Sequence, residues 1–184
     1  MSGGLLSLAD VVGKPLVEDS ADVVIIGSGA AGATAARVLT AAGLDVVVIE
    51  EGHAIPEGGF RQDAYSAFRG LWRDFGFQAA RGRVLMPILQ GRAVGGTTVI
   101  NGAIMHRMPE KVHAAWERDG AIDSLLSFAG LEQTFDVLDR ELSVGPAPEA
   151  VLGQNNALMR RGVAGIGAKG NLILRNVRDC GGSA

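Results

Sequence analysis

An α/β fold is predicted by two short β-branched runs, Asp22 to Ile26 and Val46 to Ile49, and by the alanine-rich segment between them, which opens on Gly27-Ser28-Gly29-Ala30-Ala31-Gly32. Short apolar runs bounded by glycine read as strands of a parallel sheet. From Ala30 to Ala42 the chain carries residues that lose little on entering a helix, and Gly43 follows as its stop.

The glycines after the first strand have separate tasks. Gly27 allows a tight turn, Gly29 lets a pyrophosphate approach the backbone, and Gly32 lets the helix pack close to the strand. Unpaired N–H groups at the start of that helix would face the phosphates, and Ser28, Ala30 and Ala31 are counted with the glycines as cofactor-binding residues. The second strand ends in Glu50, 23 positions after Gly27, where a ribose-binding acid belongs. A carboxylate there accepts hydrogen bonds from the ribose hydroxyls and repels a 2′-phosphate, so NAD and FAD remain as ligands and NADP does not. Glu51 reads as a solvated charge.

Glycine occupies 27 of the 184 positions, about twice ordinary usage, without the repeat or the proline content of collagen or disorder. Close backbone approach is therefore a recurring need. A net charge of -3 without long charged runs leaves no footprint for nucleic acid or an anionic membrane. The longest uncharged stretch, Val23 to Ala36, has 14 residues, short of the roughly 20 that span a bilayer. The N-terminal stretch lacks the basic and apolar regions of a signal peptide, and Cys180 is the single cysteine, so a cytoplasmic protein is expected.

A second glycine cluster, Gly91-Arg92-Ala93-Val94-Gly95-Gly96-Thr97-Thr98-Val99-Ile100-Asn101, decides between the two ligands. Together with the first, it resembles the glucose–methanol–choline (GMC) oxidoreductases, flavoproteins in which Gly-Arg-x-x-Gly-Gly-Ser/Thr-Ser/Thr-x-x-Asn meets the same FAD a second time. Gly91, Arg92, Gly95, Gly96, Thr97, Thr98 and Asn101 match that pattern. The resemblance implies a Rossmann-like FAD-binding fold. It places Arg92 to Thr97 along the pyrophosphate and ribityl chain, and Asn101, Gly102, Ala103 and Ile104 near the isoalloxazine ring. It also implies oxidation of a small-molecule alcohol by hydride transfer to the flavin. Where some members carry a flavin-linking histidine this chain has Ile100, so FAD is expected to be non-covalent.

Later segments, among them LWRDFGFQ, LEQTFDVLDRELSV and RNVRDCGGS, look like the bacterial alcohol-dehydrogenase and long-chain alcohol oxidase branch. The family's catalytic pair, a histidine with a second histidine or an asparagine, lies beyond this length. No catalytic residue and no metal site is assigned here, and the fold is expected to be incomplete because the C-terminal part of the family fold is absent. A non-catalytic flavin-binding module completed in trans by another subunit, and an NAD-dependent dehydrogenase, are the alternatives. His106 and His113 read as surface or packing histidines, and Cys180 as structural or incidental.

Tyr65, Phe68, Trp72 and Phe75 recur at helical spacing and predict a helix that buries one face or walls the flavin. Further helices are expected at Lys111 to Arg118, Glu132 to Leu142 and Val151 to Gly162, with a strand from Asn171 to Val177. The Pro146 to Pro148 stretch marks a boundary. The expected organisation is an N-terminal extension at 1–20, an FAD-binding domain at 21–145, and the start of a substrate domain at 146–184.

Overall fold

The computed structural model describes residues 4–7, 10, 12–13, 18–56, 58–60, 63–122 and 126–179; Cys180 lies outside them. The chain forms two compact units, Met1–Asn101 and Gly102–Ala184. Both mix helices with strands: the first holds a parallel and an antiparallel pair, the second an antiparallel pair.

In the first unit β1 (Val23–Ile26) and β2 (Val46–Ile49) pair in parallel, from Val23↔Val46 to Ile26↔Ile49. Asp45 fixes the base of the pair: its N–H donates to Asp22 Oδ2 at 2.9 Å and its carbonyl accepts the Val23 N–H at 3.1 Å. α1 (Ala30–Ala41) joins the two strands. It stops where the sequence predicts, because Gly43 takes a φ of 88°, open to glycine and strained for other residues. The Gly43 N–H then reaches the Thr40 carbonyl and the Leu44 N–H reaches the Leu39 carbonyl, the bond pair of a Schellman turn.

The aromatic stripe departs from the helix expected of it. α2 (Ala64–Leu71) is capped by Asp63, whose carboxylate accepts the Ser66 N–H at 2.8 Å, and it ends before Trp72. Long-range pairing draws the chain out there: Trp72 bridges Gly91, and the Arg73 N–H donates to the Gln90 carbonyl at 2.9 Å. Asp74 and Phe75 follow in left-handed conformations, at φ 48° and 57°. The rings still cluster, with Phe68 stacked on both Trp72 and Phe75 at centroid distances of 5.8 Å. β3 (Gln78–Ala80) and β4 (Met86–Ile88) form a short antiparallel pair that the sequence reading did not anticipate.

The second unit carries α3 (Glu110–Arg118), α4 (Phe128–Glu141) and α5 (Gln154–Gly165), with β5 (Val144–Pro146) antiparallel to β6 (Leu174–Asn176). α4 begins at Phe128 rather than Glu132 because Ser127 caps it, its hydroxyl accepting the Gly130 N–H at 3.2 Å. α5 starts later than expected because a 3-10 turn over Glu149–Val151 precedes it. His113 is buried. Its Nε2 lies 2.7 Å from the Leu126 carbonyl, which only accepts, so Nε2 carries the proton. Phe128 packs against the ring edge-on, at 5.5 Å between centroids.

Candidate functional site

The turn after β1 is tied to the end of β2, since the Gly27 N–H donates to the Ile49 carbonyl at 2.7 Å while Gly27 itself sits at φ 91°. Behind it α1 comes close enough that a Cβ on Gly32 would lie 1.9 Å from the Gly27 carbonyl oxygen. Gly29 is the N-cap of α1 and supplies no side-chain cap to the first-turn N–H groups. A Cβ built on Gly29 meets no atom within 4 Å. The helix start is thus an uncapped set of donors beside open space, which suits a phosphate group.

Glu50 stands at this turn. Its Oε2 accepts the Ser28 N–H at 2.8 Å and the Ser28 hydroxyl at 2.7 Å, and its Oε1 accepts the Gly52 N–H at 2.8 Å. Burial pushes the carboxyl pKa up, but the hydrogen bonds from Ser28 and Gly52 and the nearby Arg73 charge outweigh it, leaving the pKa lowered from its ordinary value of 4.5. Arg73 is itself ion-paired with Glu51, which is therefore engaged rather than simply solvated.

A lowered folded pKa means that the ionised carboxylate stabilises the fold at pH values above 4.5, and that this contribution is lost as the pH falls through the lower folded value. Glu50→Gln is expected to flatten the acid limb of a plot of unfolding midpoint against pH. An acid limb that superimposes on the parent's would contradict this hydrogen-bonded carboxylate.

The second glycine segment meets the first. The Gly95 N–H donates to Ser28 Oγ at 2.9 Å, and a Cβ on Gly96 would come within 3.0 Å of Gly29 Cα. Gly95 and Gly96 adopt φ values of 93° and 58°, so their turn needs glycine for its conformation as well as for space. Thr97 closes the turn by accepting the Gly91 N–H on its hydroxyl at 3.0 Å. The approach to the turn is held by backbone: Arg92 N–H reaches the Leu71 carbonyl at 2.7 Å, and Ala93, buried, bridges His53.

Asn101 closes the first unit, whereas Gly102, Ala103 and Ile104 open the second. There Ala103 takes a φ of 56°, its carbonyl accepts the Asn176 N–H at 3.0 Å, and Ile104 bridges Arg175. These residues form an extra rung beside β6.

Two contributions escaped sequence reasoning: the hydroxyl of Ser28, a residue expected at the site without a role for its side chain, and Gly52. The Ser28 side chain occupies a variable position of the fingerprint, so no pattern singles it out. Gly52 lies so close to the second segment that a Cβ there would stand 2.1 Å from Ala93 N. A glycine directly after two glutamates was the available signal.

Residues 21–184 match the GMC oxidoreductase family, and the chain belongs to it. Members of the family typically bind FAD. An uncharacterized GMC-type oxidoreductase of Sinorhizobium fredii is 39% identical over 168 residues, covering 89% of this chain and 32% of that protein. One from Mycobacterium tuberculosis is 37% identical over 163 residues, covering 88% and 26%. A long-chain-alcohol oxidase of Arabidopsis thaliana is 29% identical over 174 residues, covering 90% and 22%. The chain spans about a third or less of the length of these relatives.

Proposed function

We propose that this chain is the FAD-binding portion of a flavoprotein that oxidises an alcohol by hydride transfer to the flavin. The observation that carries the reading is the meeting of the two glycine segments, Gly95 on Ser28 and Gly96 against Gly29, beside an acid suited to ribose. A ligand with a pyrophosphate at its middle explains why bare backbone is needed on both sides. The helix start at Gly29, Ala30 and Ala31 then faces the pyrophosphate, with Gly27 making the turn and Gly32 admitting the helix close to the strand, and Glu50 orients the adenosine ribose. Arg92, Gly95, Gly96 and Thr97 run along the pyrophosphate and ribityl chain, and the family resemblance carries Asn101, Gly102, Ala103 and Ile104 as the residues proposed for the ring. FAD, when bound, supplies the hydride-accepting chemistry, and these residues bind and orient it. Alcohol as the substrate is supported by the long-chain-alcohol oxidases among the relatives.

In this reading further chain, in cis or as a partner subunit, supplies the proton-accepting residues and completes the sheet. Parallel strands are ordinarily covered on both faces, yet Ile26 is 88% exposed and, among the described residues, β1 pairs with β2 alone. An apolar groove along α1, past Ala31, Ala35 and Val38, offers another face to cover. We place the FAD-binding domain at 21–145 and the opening of the substrate domain at 146–184. A cytoplasmic setting fits the single cysteine.

Titration with FAD of the chain joined to the remaining family fold, followed by quenching of flavin fluorescence with NAD as competitor, tests the ligand. Saturable FAD binding that NAD displaces poorly is expected, and preference for NAD would overturn it. Alcohol-dependent dye reduction after the chain is joined to the remaining family fold tests the activity, and its absence from a flavin-replete complex would overturn the oxidase reading. Ile100 offers no nucleophilic atom, so acid precipitation of the loaded protein is expected to leave the flavin in the supernatant. Flavin in the pellet would contradict non-covalent binding.

A further inference from the structure

We infer that Ser28 is a positioning residue: its hydroxyl locks the ribose acid Glu50 to the second glycine segment at Gly95 before any ligand arrives. The inference rests on the FAD reading above and assigns a role to the side chain of a position where the fingerprint asks only for backbone.

A serine hydroxyl has one proton to donate and two lone pairs with which to accept. At Ser28 the proton goes to Glu50 Oε2, at 2.7 Å, and a lone pair takes the Gly95 N–H, at 2.9 Å. One oxygen therefore links residues 22 and 67 positions away along the chain. The Ser28 N–H donates to the same Oε2 at 2.8 Å, which fixes the direction of the carboxylate, while Oε1, with the Gly52 N–H on it, keeps a lone pair for a ligand.

The arrangement is preorganisation. Pyrophosphate and ribose of one ligand must be met by the helix start at Gly29, the acid at Glu50 and the turn at Gly95. If each had to be ordered on binding, that ordering would be subtracted from the affinity. The hydroxyl orders two of the three in advance. An alanine at Ser28 leaves the Gly95 N–H without its acceptor and Glu50 with one donor fewer. Glycine turns with free N–H groups re-form readily in water, so the consequence is a looser second segment rather than an unfolded unit.

The test compares the parent chain, joined to the remaining family fold, with Ser28→Ala and Ser28→Thr by amide exchange at Gly95, by FAD titration, and by the pH at which FAD is released. Ser28→Ala is expected to lose Gly95 protection, to bind FAD about tenfold more weakly, and to release it at a higher pH because Glu50 has lost a donor. Ser28→Thr, which keeps the hydroxyl, is expected to restore all three. Ser28→Ala with parent-like Gly95 exchange and FAD affinity overturns the inference. If Ser28→Ala loses its circular dichroism signal, Ser28→Thr decides: a tenfold loss of affinity or of Gly95 protection in it likewise overturns the inference. Failure of the parent, joined to the remaining family fold, to take up FAD would instead overturn the FAD reading, with the exchange of Gly95 in the three unliganded proteins still deciding the role of the hydroxyl.

Discussion

Gly32→Ala is expected to lower the unfolding midpoint, with a net loss of about 2 kcal/mol, although alanine is the better helix former. The helix gains about 1 kcal/mol from losing a glycine. Against this stands a Cβ 1.9 Å from the Gly27 carbonyl oxygen and 3.2 Å from Ile25 Cγ2. The nearer neighbour is backbone, so α1 has to move away from β1, and the turn that joins them moves with it. Urea unfolding followed by circular dichroism measures the result, and a midpoint equal to or above the parent's would mean that the close approach is absent. Gly29→Val provides the contrast. A Cβ at Gly29 meets nothing within 4 Å, and its φ of -65° is open to any residue. Its expected cost in stability is about 1 kcal/mol, from a poorer N-cap, whereas FAD binding is lost because the side chain fills the place of the phosphate. A flavin-replete Gly29→Val protein would show that the ligand does not pass there.

Gly52→Ala is expected to detach the second glycine segment. The Cβ would stand 2.1 Å from Ala93 N, 2.4 Å from Ala93 Cα and 2.4 Å from Arg92 C, and all three are backbone atoms. No side chain is available to swing aside. The His53–Ala93 bridge and the 3.0 Å bond from the Val94 N–H to the His53 carbonyl must open, and buried Ala93 is then exposed. Overpacking of this kind costs about 1–3 kcal/mol or more. Because Gly95 and Gly96 follow directly, FAD affinity is expected to fall together with stability. Amide exchange at Val94 reads the detachment, and unchanged protection there would contradict the packing described.

β1, α1 and β2 were legible because their signals are local: β-branched runs set the strands, alanines the helix, and Gly43 its end. The prominence of Glu50 and of both glycine segments had the same origin, in spacing along the chain. What the sequence left hidden depends on partners distant along the chain. The aromatic stripe reads as one helix until Trp72 is drawn out by Gly91, an interaction without a local signal. Three-residue strands such as β3 and β4 are too short for a period to show. Gly52 matters only because the 91–93 stretch passes over it, and the Ser28 hydroxyl only because Gly95 arrives beside it. In the second unit, α4 was underestimated because Gly130 obscured a cap that begins at Ser127.

On the proposed reading, one FAD lies against both glycine segments at once. Amide exchange at residues 27–32 and 95–97, measured with saturating FAD and with saturating NAD, distinguishes this from a ligand held by the first segment alone. Slowed exchange in both segments with FAD, and neither effect to the same degree with NAD, is the predicted result. Protection confined to residues 27–32, or equal protection by NAD, would contradict it.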